Sequence, residues 1–292
     1  MALTHTADPV PQGKRRGWLE VSRGRAFATH LGVSATVVGT VCALIFFVWY
    51  PHPYFVATGA WSVLRVLIGV DLVAGPLLTL IVFKPGKWGL KFDLCAIALV
   101  QLAALVYGVT VIYRERPYFT VFAVDRFYVL TRRDVDQTEL AAPDLTERIG
   151  RKPMIGPVLV GALRPTDFAG AQRLLDETVF GGKPDIERRP AYWSRYGDAA
   201  AQAIARAKPL ASLQVAHPEA AGQVADLVAA LRLPEDRLGF LPVIAKNQDL
   251  SLVIDVADGR PLEVLAVDPW HDAEPGADSN LNVSPRRSGA RR

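Results

Sequence analysis

The side chains of this sequence that stand out chemically lie inside long apolar runs. Asp71 falls about ten residues into the run 61–83, with Arg65 before it and Gly75-Pro76 after it. An ionised carboxylate near a bilayer midplane costs at least about 2.5 to 3.5 kcal/mol, so Asp71 is expected to face protein and not lipid. Arg65 and Asp71 are six residues apart, about 120° out of register on one helix, which disfavours a direct pair. Arg65 is expected to snorkel toward an interface. Gln101, at similar depth in the next run, is the better hydrogen-bond candidate for Asp71. Pro76 removes a backbone donor and permits a kink. This polar group either holds a helix bundle together or receives another transmembrane helix. Ala35, Gly39 and Ala43 form a small-residue stripe at i, i+4, i+8, suited equally to internal packing or to a partner.

Outside these runs the search for catalysis is negative. His52, His217 and His271 stand in no metal-ligand spacing, and no Gly-x-Ser-x-Gly elbow, P-loop or dinucleotide fingerprint occurs. An intramembrane aspartyl protease needs two facing aspartates, whereas Asp93 lies beside Lys91 at the edge of its run. Three helices without an internal repeat are a poor alternating-access machine. No enzyme, metal or cofactor is expected. Both cysteines, Cys42 and Cys95, fall in apolar runs, which leaves no disulfide framework or paired-cysteine zinc site elsewhere. The net charge of +4 owes much to basic flanks and a tail of Arg286, Arg287, Arg291 and Arg292. No aromatic and basic residues interleave as nucleic-acid binding requires. The cluster from Arg188 to Tyr196 has the composition of a protein-binding loop, with Tyr192 and Trp193 as anchors. Equally, those two rings serve to plug a core.

The elements follow from hydropathy. Hydrophobic residues make up 50% of the chain, and the long apolar runs 29–49, 61–83 and 94–113 are each long enough to span a hydrocarbon core of about 30 Å. The first ends in Trp49-Tyr50-Pro51-His52-Pro53-Tyr54, an aromatic belt followed by helix breakers, and not in a signal-peptide cleavage site. Lys14, Arg15, Arg16, Arg23 and Arg25 precede the first run, no Lys or Arg lies between the first and second, and Lys84, Lys87 and Lys91 lie between the second and third. That alternation predicts a cytoplasmic N-terminal segment over 1–27, a three-helix transmembrane region over 28–113, and an exported, periplasmic domain over 114–270. The polar, Pro/Gly/Ser-rich stretch 271–292 is expected to be disordered.

In the exported domain, 118–124, 127–131 and 157–163 read as strands, and 166–178, 195–208 and 218–231 as helices. Strands at 238–245, 250–256 and 262–267, with Asp258-Gly259 as a hairpin turn, close the domain. The expected fold is three transmembrane α-helices followed by a small α+β domain with a C-terminal antiparallel β-meander. The order of the early strands is open.

Several stretches resemble one family. Val70-Asp71-Leu72-Val73-Ala74-Gly75-Pro76-Leu77, Lys84-Pro85-Gly86-Lys87, Gln101-Leu102-Ala103-Ala104, Arg116-Pro117, Phe122-Ala123-Val124-Asp125-Arg126-Phe127, Phe240-Leu241-Pro242 and Asp268-Pro269-Trp270 are similar to type IV pilin accessory proteins of the TfpX/TfpZ kind. The likeness spans about residues 28–270 and is weakest between about 133 and 235. It implies a non-enzymatic, multi-pass protein of the bacterial inner membrane that binds and stabilises a major type IV pilin and assists pilus assembly. It supplies no catalytic residues or cofactor, and the long charged extension up to Arg25 departs from its pattern. On this reading the partners are the lipid bilayer and the pilin's transmembrane helix, with the pilin's globular head as a further candidate. The candidate contacts are Asp71, Gly75, Pro76, Gln101 and Arg65 in the bundle, and Tyr192 and Trp193 in the exported domain. A second reading is a membrane-anchored periplasmic ligand sensor or signalling subunit.

Overall fold

The computed structural model of the protein describes residues 22–270. Most of the expected N-terminal segment and the whole tail 271–292, with His271, lie outside the described residues. The chain divides into two units, one comprising the residues up to Pro117 together with Met154–Gly156, the other the remainder.

The first unit contains three helices long and apolar enough to cross a membrane: α1 (Arg23–Trp49), α2 (Trp61–Val82) and α3 (Leu90–Arg114). Two of them start earlier than hydropathy predicts, because a helix need not end where its side chains become polar. At the head of α1, Ser22 accepts from the Arg25 amide at 3.2 Å, satisfying a donor that the first turn leaves open. The first turn of α3 carries Lys91 and Asp93, and Asp93 pairs with Lys87 of the preceding turn at 2.5 Å.

Since lipid tails are as apolar as leucine, side-chain packing and internal hydrogen bonds must hold such helices together. Near the end of α1, Ile45, Tyr50, Phe55, Ala60, Leu64 and Ile112 form a packed cluster. Its Tyr50 hydroxyl donates to the Ile112 carbonyl at 2.7 Å. The backbone widens to π geometry twice, over Ile45–Trp49 and over Gly69–Ala74 in the middle of α2.

The second unit is built on one mixed eight-stranded sheet in the order β4-β3-β1-β2-β6-β7-β8, with the short β5 also paired to β6. Its strands are β1 (Phe119–Ala123), β2 (Arg126–Leu130), β3 (Val158–Ala162), β4 (Trp193–Arg195), β5 (Lys208–Pro209), β6 (Leu238–Ile244), β7 (Leu250–Asp255) and β8 (Pro261–Leu265). The last three form the antiparallel meander expected from sequence. β1 pairs parallel to β3, and β2 parallel to β6. All residues of β1 and β7 are buried, as strands covered on both faces must be.

Four longer helices accompany the sheet: α4 (Phe168–Val179), α5 (Tyr196–Arg206), α6 (Leu210–Ala216) and α7 (Ala221–Leu231). One core gathers around Phe119, Val121, Val160 and Trp193, the other around Leu210, Leu213, Val224, Phe240 and Val253. One boundary differs from expectation for a local reason. The helix read over 195–208 stops at Arg206, and Lys208 joins β5, since the residue before a proline is pushed to extended geometry. Helix α6 and strand β4 were not anticipated.

Candidate functional site

The polar group in the bundle is built from one irregularity in α2. In the π turn the Gly75 amide donates five residues back, to the Val70 carbonyl. Continuing that pattern, residue 76 would donate to the Asp71 carbonyl, but proline has no N–H. The third span supplies the missing donor, because Gln101 Nε2 donates to the Asp71 carbonyl at 3.1 Å. Gly75 makes the approach possible, since a Cβ there would overlap the Gln101 amide. Asp71, Gly75, Pro76 and Gln101 are therefore one device, in which a proline opens an acceptor, a glycine clears a path and an amide on the next helix closes the bond.

Asp71 faces protein, with 4% of its surface exposed. The expected Asp71–Gln101 contact exists, but the hydrogen bond goes to the backbone carbonyl. Although the Gln101 amide stands beside the carboxylate, neither Asp71 Oδ atom takes a hydrogen bond of normal geometry among the described residues, nor does Gln101 Oε1. A second polar link was missed in the sequence. His30 Nδ1 of α1 lies 2.6 Å from the Thr79 hydroxyl of α2, and Ser34, one turn along α1, is buried. A lone histidine at the start of an apolar run reads as a flank, and only its burial partner reveals it.

The outer surface of the bundle is different. Ala35, Gly39 and Ala43 are all exposed, and a Cβ at Gly39 would meet nothing within 4 Å. Among the described residues nothing covers the stripe. Arg65 is exposed on α2.

In the second unit, the basic and aromatic segment is wired inward. Trp193 is 2% exposed, and its ring packs edge-on to Phe119 at 4.7 Å between centroids. Tyr192 is half-buried under the Arg189 guanidinium. Arg189 is buried and pairs with Glu139 and Glu177, each at 2.7 Å, while Arg148 Nη1 donates to the Pro190 and Trp193 carbonyls at 3.0 and 2.8 Å. The structure thus brings Asp71, Gly75, Pro76 and Gln101 together within the first unit, while Arg65 is exposed on α2 and Tyr192 and Trp193 belong to the second unit. Several of the apolar side chains that the second unit displays lie on α4, where no residue is buried. Phe168, Leu175 and Val179 are 86%, 54% and 59% exposed.

Among the described residues no group of three or more His, Cys, Asp or Glu is placed to hold a metal ion.

Comparison with known proteins connects this architecture to a family. The family model for Fimbrial assembly protein FimB matches residues 20–59, which hold α1 and the turn after it. Over 233 residues the chain is 34% identical to the fimbrial assembly protein of serogroup I from Dichelobacter nodosus, covering 77% of this chain and 88% of that protein. It is 32% identical over 231 residues, with the same coverage, to the serogroup E1 protein of that organism. The protein of serogroups C1 and C2 is 40% identical over 114 residues, 38% of this chain and 86% of its own length. No solved structure matches. With identity of this level running along most of both chains, from the membrane spans into the sheet domain, the chain belongs to the fimbrial assembly protein family.

Proposed function

We propose that this membrane protein serves pilus assembly by binding and stabilising a major type IV pilin in the bacterial inner membrane, with its second unit in the periplasm. The observation that carries the reading is the family membership combined with an uncovered small-residue stripe on α1. A pilin awaiting assembly is one apolar helix carrying a soluble head. Small residues let such a helix approach closely where no hydrophobic force drives association in lipid. The lysines and arginines flanking the spans support the orientation, and the relatives are named as assembly proteins, in keeping with a non-enzymatic role.

On this reading the pilin helix lies along Ala35, Gly39 and Ala43. Asp71, Gly75, Pro76 and Gln101 act from inside by fixing how α2 and α3 support that surface, and Arg65 is a candidate contact at its edge. Tyr192 and Trp193 hold the second unit in shape, and the exposed face of α4 receives the pilin head.

A photo-crosslinking side chain at position 39 is expected to capture the pilin in intact membranes. Gly39→Leu is expected to lower pilin abundance several-fold at an unchanged level of this protein, because Gly39 has open space around it. Asp71→Ala is expected to act in the same direction through the bundle. Absence of pilin capture with unchanged pilin abundance refutes the assignment.

A further inference from the structure

Where α1 ends, the chain turns back around an apolar groove. The π turn over Ile45–Trp49 carries Phe46 and Phe47. Pro51 and Pro53 then break the helix, and the chain resumes as the short helix Tyr54–Ala57. The groove that results has a volume of about 340 Å³ and is lined by Phe46 and Phe47, by the two prolines, and by Phe55 and Val56. That volume falls at the lower end of the range of about 300 to 1,000 Å³ for ligand-binding clefts. The groove is preformed, because Phe55 is buried and its ring packs at 4.5 Å from that of Phe46 and 5.9 Å from that of Tyr50. It opens outward, since Phe47 and Val56 are 73% and 53% exposed.

Water does not suit this groove. A bound water needs two to four polar partners, whereas Tyr50 and His52 supply the only polar side-chain atoms of the lining. The Tyr50 hydroxyl is already committed to the Ile112 carbonyl. Hydrocarbon does suit it, because an apolar wall with no partner atoms forfeits its dispersion contacts. Phe46 and Phe47 belong to a membrane-spanning helix, so the groove is continuous with the surface that this span presents to acyl chains. Trp49 lies between these two rings and His52 in the chain, and interfacial tryptophans mark the boundary between headgroups and acyl chains. The aromatic end of the groove therefore lies at the depth of the first methylenes of a chain, and the exposed His52 lies on the headgroup side.

We infer that this groove is a binding site for one acyl chain of a phospholipid, which holds the chain's upper methylenes against Phe47 and Val56. The occupant is phospholipid because the groove is part of the lipid-facing surface of a span and offers almost nothing but hydrocarbon to what enters it. All of the lining lies within the first unit, and the assignment does not rest on the pilin reading.

The test uses the full chain, extracted from membranes and exchanged into a detergent that strips loosely held lipid. Native mass spectrometry is expected to find one phospholipid retained per chain. Val56→Trp, which fills the groove, is expected to lower the retained fraction at least five-fold, whereas Leu102→Trp on the exposed face of α3 leaves it unchanged. A parent chain without lipid, or equal retention in the two variants, overturns the inference. A photo-crosslinking side chain gives a readout that does not depend on filling the groove. After the same detergent exchange, position 47 is expected to yield at least three-fold more phospholipid adduct than position 102. Equal yields would mean surface lipid only, and an adduct with another polypeptide at position 47 would mean a protein cover; either overturns the site. In vesicles, a phosphatidylcholine with its photoreactive group on the first methylenes is expected to label residues 46–56 at least three-fold more than one carrying it at the chain end. The reverse order overturns the placement, and displacement of the retained phospholipid by added free fatty acid overturns the choice of occupant.

Discussion

At the scale of single residues, Gly75 and Gln101 share one space in the bundle. Gly75→Ala forces the Gln101 amide out of its path, an overpacking expected to cost about 1 to 3 kcal/mol. Gln101→Ala loses the bond to the Asp71 carbonyl, a term of about 0.6 kcal/mol on average between membrane helices. Once the amide is gone the added methyl meets less, so the double variant is expected to be destabilised by clearly less than the sum. Thermal unfolding of the full chain in detergent measures all three, and strict additivity would show that the two residues do not share a space. A second residue-scale expectation concerns Asp255, whose side chain is 1% exposed. The Ala257 amide and the Arg237 guanidinium hold its carboxyl below the usual carboxylate range. A depressed folded-state value contributes stability above the unfolded value of about 3.9, which is lost as pH falls through the folded one. Asp255→Asn is therefore expected to flatten the fall in stability below about pH 4, read from urea midpoints across pH. A curve as steep as that of the parent would place the acid sensitivity elsewhere.

Among the elements, α4 and α6 make contrasting predictions. Leu175 on α4 is 54% exposed and Leu213 on α6 is 1% exposed. Leu175→Ala is expected to change stability by no more than about 0.5 kcal/mol, and Leu213→Ala to cost about 2 to 5 kcal/mol; chemical denaturation separates them. Leu174 of α4 packs against the core, so that outcome would mean that the exposed part of its apolar face serves something other than folding. The same contrast explains what sequence reading reached. The three spans were legible because some twenty apolar residues in a row need no knowledge of a partner. The terminal meander was legible because its strands are neighbours joined by short turns. The two-residue β5 and three-residue β4 carry too little pattern to register. The parallel pairs β1 with β3 and β2 with β6 depend on contacts far apart in the chain, which no local periodicity encodes. In the site, the meeting of Asp71 and Gln101 was anticipated from their depth. Its acceptor was not, because that follows from the π turn, and a turn of this kind leaves no mark in composition.

For the whole molecule, the donor that Gln101 lends to α2 links the spans in time as well as in space. Until the third span has entered the membrane, the second carries an open carbonyl in hydrocarbon, at a cost of several kcal/mol. The second and third spans are thus a natural unit of biogenesis, released sideways from the insertion machinery as a hairpin and not one after the other. A chain truncated after Lys91 is expected to leave its second span poorly integrated and prone to degradation, and extension through Arg114 to rescue it. Extension carrying Gln101→Leu should rescue it less well. Equal integration of all three, assayed by alkaline extraction of freshly synthesised membranes, would mean that bilayer water or another protein takes over the role of the amide during synthesis.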